Sequence, residues 1–123
     1  MANHVLVPFT DSEEATKALE HALSSFPDAD ITVIHVGNTN AASDGGRQHL
    51  ERAEEITAEH GRVVDTELLQ GAPKEEIIQF VETNDIGHIV MGSRGRSGMS
   101  RLLLGSVAEA VVRHSPVPVT VVR

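Results

Sequence analysis

Five short apolar runs alternate with four amphipathic segments along this chain, and nothing else in it restricts the fold so tightly. Short apolar runs bounded by turn residues suit strands buried on both faces of a sheet. Segments with apolar residues at i, i+3, i+4 and i+7 suit helices packed on that sheet. His4–Phe9 reads as the first strand. Ser12, followed by Glu13 and Glu14, offers an N-cap with acids in the first turn. Ala15, Ala18, Leu19, Ala22, Leu23 and Phe26 then form one stripe, stopped by Pro27-Asp28. Ile31–Val36 is the second strand, and the polar, aperiodic stretch from Gly37 to Gly46 is a loop. The pattern predicts a helix over Arg47–His60, with Leu50, Ala53 and Ile56 inward and Gly61 just past its end. Val63–Leu69 is the third strand, and Pro73 begins a helix to about Thr83 that buries Ile77, Ile78 and Val81. His88–Met91, Ser106–His114 and Val117–Val122 are the fourth strand, the last helix and the fifth strand.

This alternation predicts an α/β fold, an open parallel sheet with helices on both faces. Ligands of such sheets lie outside the carboxyl ends of the strands, where the strand order reverses. At 123 residues the chain is expected to form one domain, residues 1–123. Its only aromatic residues are three phenylalanines, so Val, Leu, Ile and Ala must build the core. The absence of cysteine excludes disulfides, thiol nucleophiles and thiolate metal sites. No run is long enough to span a bilayer and the first residues lack a charged leader, which predicts a cytoplasmic protein without membrane partners. A net charge of −8 argues against nucleic acid as a partner.

Within that frame one segment carries chemistry. The run Ile89-Val90-Met91 stops at Gly92, Gly95 follows, and nine residues later Gly105-Ser106 opens the last helix. A strand thus feeds a glycine-rich loop that returns at a helix N-terminus. Glycine leaves no Cβ between backbone N–H groups and a ligand and permits φ > 0. The helix N-terminus adds unsatisfied donors and about half a positive charge, and Ser106 can cap it or turn its hydroxyl to an oxyanion. From Ile86 to Ala108 there is no Asp or Glu, whereas Arg94, Arg96 and Arg101 all fall in the loop. Such a segment suits a phosphate.

The spacing G-x2-G-x9-G-S resembles the nucleotide-binding signature of the universal stress protein family. The opening V-L-V-P, the I-T-V-I-H-V segment, the G-x-P-x-E-E-I of residues 71–77 and the closing G-S-V-A-E-x-V-V-R-H-S-P-V-P-V-x-V-V-R are similar to that family as well. The resemblance implies a Rossmann-like sheet of order 3-2-1-4-5. It implies adenine and ribose against Pro8, Thr10, Asp11 and Val36, and sugar and phosphates on Met91, Gly92, Ser93, Arg94, Gly95, Arg96, Gly105, Ser106 and Val107. The ligand is then ATP or a related adenine nucleotide, with Mg or Mn held mainly by its phosphates. The family usually reads V-P-x-D-G-S, whereas Val7-Pro8-Phe9-Thr10-Asp11-Ser12 puts Thr10 at the acidic position and Asp11 at the glycine. The last strand (Val117, Pro118, Val119, Thr120, Val121, Val122) is apolar and expected at a sheet edge, which predicts a homodimer through it.

Other chemistry is poorly supported. G-x-x-x-x-G-K-[ST] and G-x-G-x-x-G are absent, and the seven histidines form no H-x-x-x-H pair. His35 and His88 read as packing or hydrogen-bonding residues, and Ser93, Ser97 and Ser100 as solvated loop serines. No general base stands out beside the loop, so ATP hydrolysis is expected to be slow or absent. Three roles follow in order: a nucleotide-binding stress-response module, a homodimeric scaffold that has lost the nucleotide, and a slow ATPase.

Overall fold

The computed structural model describes residues 3–37, 45–93 and 104–123. Among them run strands β1 (His4–Pro8), β2 (Asp30–Gly37), β3 (Asp65–Gln70), β4 (His88–Gly92) and β5 (Val119–Val122). Helices α1 (Glu13–Ser25), α2 (Gly46–Glu59), α3 (Pro73–Thr83) and α4 (Ser106–His114) alternate with them. All strand pairs are parallel, in the order β3-β2-β1-β4-β5. The parallel sheet is that expected of the alternating pattern, and its order is the one the family resemblance implies.

Side chains leave each strand on alternate faces, so the sheet divides the core in two. Val5, Val7, Val33 and Val90 pack with Ala18, Leu19 and Ala22 of α1 and Leu50, Ala53 and Ile56 of α2. Leu6, Ile34, Ile89 and Met91 pack with Ile77, Phe80 and Val81 of α3 and Val111 of α4. Phe80, 7% exposed, takes the core position expected of Ile78, which is only partly buried.

Local chemistry sets the helix ends. The Ser12 hydroxyl accepts from the Ala15 amide at 3.1 Å and starts α1 as expected. Gly61 follows the α2 cap residue His60 with φ +69, its N–H donates to the Ala58 carbonyl, and the Arg62 N–H donates to that of Thr57. These two bonds close the helix end by a left-handed turn that glycine adopts without Cβ strain. The turn also delivers the Arg62 side chain to α1, whose last turn holds no basic residue. Its guanidinium donates to the carbonyls of Leu23 (2.8 Å), Ala29 (3.1 Å) and Phe26 (3.4 Å).

Several boundaries differ from expectation. β3 begins at Asp65, paired with Thr32, and leaves Val63 94% exposed. An edge strand is paired on one side only, so an apolar residue beyond its register has no core to enter. β5 begins at Val119, because Pro118 has no N–H and contributes only its carbonyl, which accepts from Ile89 at 3.0 Å. Gly37 and Gly46, read as loop ends, belong to β2 and α2, and residues 38–44 lie outside the described residues.

Candidate functional site

The crossover from β1 runs to β2 on one side and that from β4 to β5 on the other, so the strand order reverses between β1 and β4. The carboxyl ends of these two neighbours, at Pro8 and Gly92, flank the place where a doubly wound sheet holds its ligand. Pro8 is half-buried there, Thr10 and Asp11 follow it, and Val36 lies near the end of β2 beside it. Met91 is 5% exposed, and Ser93, read as a solvated loop serine, is instead buried at 4% because its backbone bridges β5 and α4.

The ends of the glycine-rich loop meet at its base. The Gly105 N–H donates to the Ser93 carbonyl at 2.7 Å, and the Ser93 N–H donates to the Val122 carbonyl at 2.8 Å. Ser93 therefore ties β4 to the end of β5 and to the start of α4 at once. Gly105, not Ser106, is the N-cap: its φ of −66° and ψ of 160° are extended, and its carbonyl accepts the first helical bond, from Glu109, at 2.9 Å. Ser106 stands one position inside, exposed and with helical backbone. The amides of Ser106, Val107 and Ala108 precede the first helical bond and point out of the helix end. With the Ser93 and Gly105 amides engaged, these three are the donors that α4 offers to an anion.

Gly92 has a role that spacing alone did not reveal. Its φ is not positive; among the described glycines only Gly45, Gly61 and Gly71 have that conformation. A Cβ on Gly92 would lie 2.8 Å from the Glu14 carbonyl carbon and 2.9 Å from the Ala15 nitrogen. The close approach that demands glycine here is thus made by the first turn of α1.

The loop from β1 to α1 is held from several sides. The Phe9 N–H donates to the Ile34 carbonyl at 2.8 Å, and His35 Nδ1 donates to the Phe9 carbonyl at 2.9 Å. The Thr10 hydroxyl donates to that of Ser12 at 3.3 Å. The Asp11 N–H donates to Nδ1 of His49, on α2, at 2.9 Å, and the His35 and His49 rings stack with centroids 4.3 Å apart. His35 bears out its reading as a hydrogen-bonding residue. Sequence reasoning missed His49, whose one available signal was its place in the first turns of a helix that enters at the same end of the sheet.

Arg94, Gly95 and Arg96, with Ser97, Gly98, Ser100 and Arg101, lie outside the described residues. At the opposite end of the sheet, His4 and Thr32 are bonded at 2.7 Å and His88 and Thr120 at 2.8 Å. Burial, and to a lesser degree the charge of His21, holds the His88 pKa below its ordinary value. Among the described residues no three His, Cys, Asp or Glu side chains converge as a metal site, and no helix is long and apolar enough to cross a membrane.

The strand order, the reversal point and a helix start tied to the end of β4 define a doubly wound, Rossmann-like α/β protein. The sequence model of the universal stress protein family matches residues 1–123, and the chain belongs to that family. It is 31% identical to universal stress protein YxiE of Bacillus subtilis over 148 aligned positions, covering 100% of both chains. The solved structure of MJ0577 is similar with a TM-score of 0.84 at 28% identity, over 98% of this chain and 94% of that one. A universal stress protein in complex with cAMP shares the fold at a TM-score of 0.80 and 20% identity, covering 99% of this chain and 97% of that one. An Arabidopsis thaliana family protein with AMP bound does so at 0.72 and 22%, covering 98% and 90%.

Proposed function

We propose that this chain binds an adenine nucleotide, ATP or a relative, between the ends of β1 and β4, and acts as a cytoplasmic, homodimeric regulatory module of the stress response. The observation that carries the reading is the start of α4. Three backbone amides and the positive end of the helix lie at the end of β4, within a stretch that has no acid from Ile86 to Ala108. The ligands in the two related structures, cAMP and AMP, have adenine, ribose and one phosphate in common. In this reading Pro8, Thr10, Asp11 and Val36 receive the base and sugar. Met91, Gly92, Ser93, Arg94, Gly95, Arg96, Gly105, Ser106 and Val107 surround the sugar and phosphates. Magnesium or manganese would be held mainly by those phosphates, and turnover would be slow or absent.

Proline is favoured at the first helical position, and its one loss there is an amide that the helix does not use. Ser106→Pro should therefore keep the fold and remove one phosphate donor, whereas Ser106→Ala keeps the amide. Titration calorimetry with ATP should show binding to wild type, a loss of about tenfold in Ser106→Pro and a smaller loss in Ser106→Ala. No binding to wild type would overturn the reading.

One observation favours the scaffold alternative: Thr10, at the family's acidic position, turns its hydroxyl to Ser12. Acid release and chromatography of nucleotide from the purified protein separates the two, because a scaffold carries none.

A further inference from the structure

We infer that His35 and His49 form a proton-sensitive clamp that shapes the Phe9–Ser12 loop for its ligand and releases the loop on acidification. The clamp stands on the geometry of the chain alone; its effect on affinity rests on the nucleotide reading.

The two hydrogen bonds assign the ring protons. An amide N–H always carries its hydrogen, so His49 Nδ1 must present a lone pair to Asp11, and the neutral ring keeps its proton on Nε2. The Phe9 carbonyl needs a donor, so His35 carries its proton on Nδ1. The stacked rings, inclined by 19°, are thus opposite tautomers. A proton added to His49 can go only to Nδ1. There it turns the acceptor into a donor that faces the Asp11 N–H, and the bond is replaced by repulsion.

His49 is the more accessible of the two rings. His35 is 3% exposed within β2, whereas His49 is half-buried at the rim. Both rings charged would place two cations 4.3 Å apart, where they repel. Around α2, the loop carries Asp11, α1 carries Glu13, Glu14 and Lys17 in its first turns, and β3 carries Glu67. On α2 itself Arg52 pairs with Glu55 at 3.3 Å. Histidine is the side chain type whose charge ordinarily changes between about pH 5 and 8.

The loop this bond fixes begins at the end of β1 and ends at the Ser12 cap of α1. Its release moves the wall expected to receive base and sugar.

Amide exchange of Asp11 in the ligand-free, ¹⁵N-labelled protein tests the clamp. Protection, corrected for intrinsic exchange, should fall about three- to tenfold from about pH 7.5 to 5.5. His49→Ala should show the lowered value already at the higher pH. His49→Asn, whose amide oxygen can occupy the Nδ1 position and does not titrate, should stay protected at both. Unchanged protection in His49→Ala, or a fall in His49→Asn equal to that of wild type, would overturn the clamp. For the ligand, the ATP affinity of wild type relative to His49→Asn should drop about three- to tenfold over the same interval, and ATP's own titration cancels in that ratio. A constant ratio overturns the link to the ligand. ATP binding to neither protein overturns the nucleotide reading, and the exchange result still decides the clamp.

Discussion

Gly92 and Glu14 are in backbone contact, and no side chain fits between them. Gly92→Ala should therefore push the first turn of α1 off the end of β4, because neither neighbour is a flexible side-chain tip. Overpacking of this kind costs about 1–3 kcal/mol. Urea unfolding of the variant checks it, and a midpoint equal to that of wild type would disprove the contact.

Arg62 links the α2 end to three carbonyls at the α1 end. Arg62→Ala leaves those carbonyls without their charged donor and should destabilise the protein by about 1–3 kcal/mol. Arg62→Lys, a point charge that cannot span all three, should fall between wild type and alanine. The order of the three urea midpoints is the test, and lysine as weak as alanine would show that spanning, not charge, matters.

His88 takes up a proton less readily in the folded chain than at its ordinary value of 6.5, through burial first and His21 second. As pH falls the unfolded chain is protonated before the folded one, so stability decreases. The contribution of neutral His88 is complete above pH 6.5 and is lost as pH falls below that value toward the lowered folded one. His88→Gln, which can still reach Thr120 and does not titrate, should lose less stability than wild type between about pH 7 and 5. Equal losses in denaturant midpoint would exclude His88 as the source.

β5 pairs with β4 along one edge and is last in the strand order. Val119 packs into the α3/α4 core, Thr120 bonds His88, and Val122 packs on the α1 side. Val121 is half-buried and belongs to neither core cluster, so it is the place to probe the proposed two-fold contact. Light scattering should give the mass of two chains for wild type and shift toward one for Val121→Lys. A wild-type mass of one chain would rule the dimer out.

What the sequence revealed was what local periodicity encodes. The α1 stripe from Ala15 to Leu23 is read off 3.6-residue spacing, and Gly61 marks the α2 end because few other residues adopt its φ. Strand ends were less legible. Whether Val63 belongs to β3 depends on register with a strand more than 20 residues earlier. The candidate site divides in the same way. Gly92 and Gly105 stand where their spacing implied, yet Gly92 accommodates α1 and Gly105 caps α4 in place of Ser106. The Asp11–His49 bond joins positions 38 apart, and no window of sequence contains it.

The ends of β1 and β4 lie roughly 80 positions apart along the chain and become neighbours only when the sheet is assembled. A site built from both does not exist in any half of the molecule. Whatever occupies it is bound by the finished fold and not by the unfolded chain, so occupancy adds to global stability, about 2.7 kcal/mol at a hundred times the dissociation constant. The concentration of a ligand bound there would then govern how long the whole chain survives proteolysis, as well as how often the site is filled.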